Sequence, residues 1–230
     1  MNNSISEIIR KRLETNNTRY FASDNISDYI KPEEYPLLID ELTQKFDSVL
    51  DSLLIDRHND PNSRGTGRRL AKMYINEIMS GRYHKAPEIT SFPNTGNNRY
   101  DGMLVVRSEL KSLCSHHHQP VKGVAYIGII PGQRVIGLSK YTRIAQWCAR
   151  RGTLQEELCN EIADAIMFAT ASEDVGVYIA ATHGCCENRG IMAHSSLTQT
   201  TVLRGQFHSA DVKKEFFDNI SLQEKFTDGR

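Results

Sequence analysis

Cysteine and histidine side chains in two separate segments could together hold a metal ion. Cys114 and His117 form a Cys-x-x-His pair, which one turn of backbone can aim at a common point. About seventy residues downstream, the run Thr-His-Gly-Cys-Cys at 182–186 contains two further cysteines. A ligand from that run would complete a set of two thiolates and one imidazole. Three such ligands suit zinc and leave one position for water, as in a catalytic rather than a structural site.

The composition is that of an ordinary globular protein, and it argues against two classes of partner. The 230 residues are 39% hydrophobic and 24% charged, and 28 basic residues balance 28 acidic ones. A nucleic-acid-binding protein usually carries a basic excess, so we expect no nucleic-acid partner. No apolar run approaches the roughly 20 residues that cross a bilayer, so we expect no membrane association.

The cysteine count favours a reducing compartment. Five cysteines is an odd number, and the adjacent pair Cys185 and Cys186 is poorly suited to pairing with itself. The N-terminus is polar and lacks the apolar core of a signal peptide. These features predict a cytoplasmic protein with free thiols. Cys148 and Cys159 lie in helical patterns beside apolar residues, and we interpret both as core thiols.

The chain divides into a helical first part and a mixed second part. Residues 1–95 form the predicted N-terminal helical region, with an apolar stripe from Leu38 to Leu53 and a further helix over 66–79. Residues 86–102, rich in proline, glycine and asparagine, are predicted as loop. Residues 96–222 form the predicted catalytic domain, and residues 223–230 form a tail.

Strand and helix patterns follow one another in pairs within the second part. Strands are predicted over 103–110, 121–130, 175–181 and 198–207, and helices over 139–150, 153–170 and 211–220. The order is therefore β-β-α-α-β-β, followed by a helix. Two strand pairs around a helix pair predict an α+β fold with an antiparallel sheet and the two helices on one face.

Three segments in this order carry a specific resemblance. They are residues 113–117, residues 135–140 and residues 181–185, and the helical segment 69–74 belongs to the same pattern. At these distances the chain resembles the GTP cyclohydrolase I family, whose members open the imidazole ring of guanine. The resemblance covers roughly residues 35–220. It implies a tunnelling-type fold and a homodecamer of two stacked rings, with active sites at subunit interfaces.

The resemblance also implies the metal ligands and the acid–base residues. The Zn²⁺ ligands would be Cys114, His117 and Cys185. Neighbouring side chains on a strand point to opposite faces, so either Cys185 or Cys186 would reach the metal, and the family register favours Cys185. His116 and His183 would be catalytic, because histidine titrates in the range needed to protonate the purine nitrogen. As the alternative, His183 could bond a backbone group at the strand end. The next residue, His118, has no family counterpart and is predicted at the surface or an interface.

Substrate contacts follow from the same resemblance. The predicted triphosphate and ribose contacts are Ser139, Lys140, Arg143 and Arg189, and the predicted guanine contacts are Gln155 and Glu156. Several cations must converge on a triphosphate, which explains the basic residues. Thr153 and Glu156 also match a capping box, which is the structural alternative for Glu156.

The function implied by these residues is hydrolysis of GTP. Attack at C8 would open the imidazole ring, release formate and lead to 7,8-dihydroneopterin triphosphate, a precursor of pterins, folates or 7-deazaguanine bases. Ser115 departs from the glutamate usual in the family, and Glu187 places a negative charge near the expected triphosphate. The alternative is a non-catalytic or different-substrate zinc protein of the same fold that binds a purine or pterin.

Overall fold

The computed structural model describes residues 4–97 and 99–228 and divides the chain into two compact units, Met1–Lys85 and Ala86–Arg230. The domain limits predicted at 95/96 and 222/223 stay predictions, and residues 229 and 230 of the predicted tail lie outside the described part. Within the described ranges, no helix combines the length and the apolar character needed to cross a membrane.

The first unit is helical, as predicted. Its helices are α1 (Ile5–Thr15), α2 (Glu34–Ser52), α3 (Thr66–Met73) and α4 (Ser80–Tyr83), with a 3₁₀ turn at Ser27–Tyr29 and a π-helical turn at Tyr74–Ile78. A capping box between Ser4 and Glu7 starts α1. Ile9, Leu38 and Ile75 are buried together and form the centre of this unit's own core.

The second unit is built on an antiparallel sheet with two helices inserted between its hairpins. The strands are β1 (Ser91–Pro93), β2 (Leu104–Cys114), β3 (Pro120–Ile129), β4 (Arg134–Ile136), β5 (Gly152–Thr153), β6 (Val175–His183) and β7 (Thr198–Leu203). The helices are α5 (Leu138–Ala149), α6 (Gln155–Thr170), α7 (Gly184–Glu187) and α8 (Ala210–Asp228), with a 3₁₀ turn at Gly205–His208. Five strands form one sheet in the order β5-β2-β3-β6-β7, in which β5 alone is parallel to its neighbour. The predicted α+β class and the order β-β-α-α-β-β are confirmed.

Helices cover both faces of this sheet. On one face, α5 and α6 enclose a core that includes Ile127 and Ile162. On the other face, α8 and the preceding 3₁₀ turn bring Phe207 and Phe216 against Tyr126. The predicted helix over 211–220 is longer in the structure, because beyond the buried Ile220 polar side chains such as Gln223 still hydrogen-bond to the sheet.

Paired glycines let the aromatic rings approach that second face. Gly128 of β3 lies opposite Gly176 of β6. A Cβ atom at Gly128 would lie 2.7 Å from the ring of Phe216, and one at Gly176 would lie 2.5 Å from the ring of Phe207. The two rings meet edge to face, with centroids 5.3 Å apart. A side chain at either glycine would push this aromatic cluster away from the sheet.

Two short elements differ from the sequence prediction. The predicted loop over 86–102 contains β1, which pairs with β4. Three-residue strands are too short for alternation to reveal them. The run with Cys185 and Cys186 leaves β6 and continues as α7 instead of extending the strand.

Candidate active site

Two apolar stripes on the α5–α6 face end in functional side chains at the same edge of the sheet. On β6, the inward alternation through Ile179 reaches His183, the last residue of the strand. On β2, the stripe through Leu110 reaches Cys114, again the last residue. Val121 of β3 pairs with His183 of β6 on one side and with Ser112 of β2 on the other. Ser112 lies two residues before Cys114. Strand register alone therefore brings Cys114 and His183 to one edge.

A tight turn displays the histidines that follow Cys114. The amide of His118 donates to the carbonyl of Cys114 at 2.9 Å, and the amide of Cys114 donates to the carbonyl of Gln119 at 3.0 Å. His118 has a φ of 49°, a left-handed conformation that closes the turn. His116 and His117 are exposed side by side, with ring centroids 6.4 Å apart. His118 therefore supplies the left-handed backbone conformation that the turn needs.

Cys185 approaches Cys114 from a short helix. The strand geometry assumed for Cys185 and Cys186 is wrong, because both are successive residues of α7. Gly184 allows α7 to start close to β3, where a Cβ atom would lie 3.0 Å from the carbonyl oxygen of Pro120. The Sγ atoms of Cys185 and Cys114 are 3.9 Å apart. We call Cys114, His117, His183 and Cys185 the thiol corner.

The two thiols are spaced as ligands of one metal ion would be. Sulfurs bound tetrahedrally at about 2.3 Å from zinc lie roughly 3.8 Å apart, against 3.9 Å for Cys114 and Cys185. Burial, reinforced by the thiols of Cys114 and Cys186, raises the pKa of Cys185 to about 11. Ser112, two residues before Cys114 on the same face, has a buried Oγ without a hydrogen-bond partner in the part of the chain that the structure describes. This donor set fits a thiolate-binding cation such as zinc.

His117 is turned toward an arginine. Its Nε2 atom lies 2.9 Å from Nη1 of Arg189. A guanidinium can only donate, so Nε2 accepts this bond with the one lone pair that a neutral imidazole offers. Consistent with this orientation, no three His, Cys, Asp or Glu side chains among the described residues converge as a metal cluster. Metal binding at His117 and the bond to Arg189 exclude each other, so a metal-loaded corner requires Arg189 to move.

Gln155, predicted to contact guanine, is buried against His183. It is the first residue of α6 and is 4% exposed. Its Oε1 atom lies 2.8 Å from Nε2 of His183. Its amide nitrogen donates toward the carbonyls of Ile179 and Thr198, at 3.3 and 3.1 Å. The amide group is thus engaged by the protein on both sides.

Glu156, the next residue, faces solvent beside this pair. The capping-box alternative for Glu156 is wrong, because Leu154 and not Thr153 is the N-cap of α6. The carboxylate of Glu156 acts on the charge of the neighbouring His183. Burial lowers the pKa of His183, and the carboxylates of Glu156 and Glu187 oppose that shift.

The predicted phosphate-binding residues of α5 lie at the far end of that helix. Ser139 and Arg143 are exposed, and the Nζ atom of Lys140 donates to the carbonyl of Glu88 at 2.7 Å. The opposite end of α5 leads into β5, which pairs with the last residues of β2, including Cys114. At 1.5 Å per residue, Ser139 lies roughly 15 Å along the axis from the last residue of α5. The structure therefore brings Arg189 to the thiol corner, but not these three residues.

Sequence reasoning missed three polar residues that line the site. Thr198 and Thr200 surround the amide of Gln155, and Ser112 adds a buried hydroxyl beside Cys114. The alternating threonines of β7 were a signal for a strand, but the pairing of β6 with β7 was needed to place them around Gln155.

The fold and the corner define an α+β protein with a candidate thiol–imidazole metal centre at a sheet edge. The family of GTP cyclohydrolase I matches residues 42–221. The chain belongs to this GTP cyclohydrolase I family, so the resemblance seen in the sequence is confirmed.

Curated relatives agree over most of the chain. A GTP cyclohydrolase 1 of Flavobacterium johnsoniae is 34% identical over 210 residues, which cover 89% of this chain and 93% of the relative. A GTP cyclohydrolase 1 of Aeromonas hydrophila is 40% identical over 176 residues, which cover 75% of this chain and 79% of the relative. Among solved structures, an archaeosine synthase QueF-Like in the apo form covers 45% of this chain and 93% of its own, with 14% identity and a TM-score of 0.38. That last likeness is too slight to define the fold, which the strand order and register already establish.

Proposed function

We propose that this chain catalyses the GTP cyclohydrolase I reaction. Water would add at C8 of GTP, the imidazole ring would open, formate would leave, and the product would be 7,8-dihydroneopterin triphosphate. Family membership over residues 42–221 supports the reaction class. The observation that carries the proposal is the pair of facing thiols, 3.9 Å apart, beside a histidine at the end of β6.

Cys114, Cys185 and His117 would hold zinc. The spacing of the two sulfurs fits a tetrahedral ion, and His117 would contribute once Arg189 releases its ring nitrogen. When bound, zinc would lower the pKa of its water ligand to about 7, so that hydroxide is available at neutral pH.

The histidines of this chain would move the protons. His183 is held by Gln155 at the mouth of the corner, and His116 is exposed on the adjoining turn. Ring opening requires a proton on the departing nitrogen, and an imidazole can both donate and accept one near neutral pH. We assign His183 to the side of the purine nearest the sheet, and His116 to the solvent side.

The remaining substrate contacts would come from two chains. Glu156 is exposed near His183, where its carboxylate could accept from the N–H groups of guanine. Arg189, once released from His117, would be available to a phosphate. Ser139, Lys140 and Arg143 lie at the wrong end of α5 to join them within one chain. We therefore propose that a neighbouring subunit supplies these three residues.

The sheet edges support such an assembly. β7 forms one edge of the five-stranded sheet, and the two residues of β5 cover only the end of β2 at the other edge. Edge strands carry unpaired N–H and C=O groups that pair readily with another strand. Edge-to-edge pairing of copies would close the sheet into a barrel and form a homodecamer with active sites at its subunit interfaces.

The direct test is turnover of GTP by zinc-loaded protein under reducing conditions. Formate and the fluorescent oxidised pterin would be measured together. We expect both products from the wild type, neither from Cys185→Ser, and both from the matched control Cys186→Ser. Loss of activity in Cys186→Ser alone would refute the ligand assignment. Stoichiometric zinc without either product would refute the reaction and favour a zinc protein that binds a different purine or pterin.

A further inference from the structure

We propose that Gln155 is a positioning residue, which fixes the ring nitrogen of His183 that carries the hydrogen. The inference rests on the proposed function, in which His183 transfers protons at the substrate. Gln155 is the first residue of α6 and is 4% exposed. This assignment also changes the role expected for Gln155, from reading guanine to orienting a histidine.

Two carbonyl oxygens decide the orientation of the Gln155 amide. The amide nitrogen lies 3.3 Å from the carbonyl oxygen of Ile179, 3.1 Å from that of Thr198, and 3.2 Å from Oγ1 of Thr200. Carbonyl oxygens accept and never donate, so an amide oxygen placed there would face two acceptors with no hydrogen between them. Amide groups are often ambiguous in orientation, but here the NH₂ group must point toward β6 and β7.

The other end of the amide then determines the tautomer of His183. The Oε1 atom of Gln155 lies 2.8 Å from Nε2 of His183. Because an amide oxygen can only accept, Nε2 must carry the hydrogen. The neutral ring therefore keeps its lone pair on Nδ1. That nitrogen is the one left to take up and return a proton, while the hydrogen on Nε2 stays in place.

The sheet makes this arrangement rigid. Ile179 of β6 and Thr200 of β7 are register partners, so the acceptors around the amide belong to one strand pair. Moving Gln155 would leave buried polar groups unpaired, which costs free energy. A neutral amide also orients the ring without adding a full negative charge beside it, unlike the carboxylate of a Ser-His-Asp triad. With both N–H groups used by the protein, the amide has no donor left for guanine.

The tautomer can be measured directly on the full-length wild-type protein. Histidine labelled with ¹⁵N in both ring positions would be incorporated, and solid-state NMR would report which nitrogens carry hydrogen. The His183→Asn protein identifies the His183 signals by difference. We expect a protonated Nε2 and an unprotonated Nδ1. A hydrogen on Nδ1 of the neutral ring would overturn the proposal.

A kinetic comparison separates positioning from substrate binding. In Gln155→Met, we expect kcat to fall by roughly 10- to 100-fold, the range for partners that orient a functional histidine, with KM for GTP and zinc content unchanged. The matched control is Gln199→Met, because Gln199 lies on β7 between Thr198 and Thr200, and its side chain points to the opposite face. A raised KM with unchanged kcat in Gln155→Met would make Gln155 a substrate contact and overturn the proposal.

The two readouts also separate this inference from the proposed function. If zinc-loaded wild type releases no formate from GTP, the reaction is wrong, yet the NMR signals still decide the tautomer. If Gln155→Met fails to fold, the wild-type spectrum remains decisive. Fast turnover together with hydrogen on Nδ1 would refute the positioning role and leave the reaction intact.

Discussion

Four of the five cysteines form two contrasting pairs that border the same apolar core. In the interior pair, the sulfur of Cys148 faces a backbone carbonyl at 3.9 Å and that of Cys159 faces another at 3.4 Å. In the corner pair, Cys114 and Cys185 face each other at 3.9 Å. The first pair lies within helices, whereas the second lies where a strand ends and a short helix begins.

Each pair contains a buried thiol and a thiol with a raised pKa. Cys114 is 4% exposed and Cys148 is 1% exposed. Burial raises the pKa of Cys148 to about 12, and burial with neighbouring thiols raises the pKa of Cys185 to about 11. The difference lies in what each sulfur faces. A carbonyl oxygen is a good acceptor for a thiol, whereas the sulfur of a second thiol is only a weak one, so the corner is suited to a shared cation.

The sharpest way to test this contrast is serine substitution in each pair. We expect Cys114→Ser to weaken zinc binding by more than about 100-fold, because loss of a ligand should exceed the 10- to 100-fold loss seen for outer partners. Competition with a chromogenic chelator, in reduced protein, would measure the affinity. Cys148→Ser should bind zinc like the wild type. Equal losses in both variants would contradict the distinction.

The interior pair should instead show its effect in stability. Cys159 is fully buried, so Cys159→Ser places a more polar hydroxyl in the core. We expect the free energy of unfolding to fall by about 1–3 kcal/mol, with zinc stoichiometry unchanged. The shift of the urea midpoint in matched zinc-free samples would measure it. If Cys159→Ser were as stable as the wild type but bound no zinc, Cys159 would belong to the metal site and the distinction between the two pairs would be wrong.

The contact between Arg189 and His117 predicts a smaller change in zinc affinity, and one opposite in sign to that of Cys114→Ser. Removing the guanidinium in Arg189→Gln frees the lone pair of His117, so zinc should bind more tightly by roughly 3- to 10-fold, the size of one exposed hydrogen bond. Zinc affinity by chelator competition is again the measurement. Arg150→Gln, which removes charge from an exposed arginine at the end of α5, is the control. Weaker zinc binding in Arg189→Gln would show that the arginine supports the metal site.

The smallest effect is expected at the buried hydroxyl of Ser112. It has no hydrogen-bond partner among the described residues, so Ser112→Ala should raise the stability of zinc-free protein by about 1 kcal/mol or less. Ser172→Ala is the contrasting control. The Oγ atom of Ser172 donates to the carbonyl of Ile130 at 2.8 Å, so loss of this hydrogen bond should lower the stability of the protein. Thermal unfolding of both variants would decide. If Ser112→Ala lowered the stability instead, the idea that the unpaired hydroxyl destabilises the zinc-free protein would be wrong.

The sequence predicted the residues of the corner better than their geometry. The Cys-x-x-His spacing and the downstream cysteines indicated Cys114, His117 and Cys185, because ligand chemistry is visible in residue types. The helix α7 was missed, because alternation through Ile179 and Ala181 gives no sign of where the strand stops. The close approach of Gly184 to Pro120, which lets α7 begin there, depends on a partner strand.

The supporting contacts could not be predicted for a related reason. The family pattern placed Gln155 at guanine, but its burial and its acceptors depend on the register of β6 with β7. The pattern also grouped Lys140 with Arg189, although α5 carries Lys140 away from the corner. Local spacing records which residues occur together, whereas strand register and helix length decide which of them meet.

The length of α5 has a genetic consequence. Under the proposed assembly, each chain contributes the metal-holding half of one site and the phosphate-holding half of another. A protein with Cys185→Ser and a protein with Lys140→Ala would each be inactive alone. Mixed in one assembly, they would regain sites with both halves intact, so two defective alleles should complement each other. A site formed within a single chain would show no such rescue.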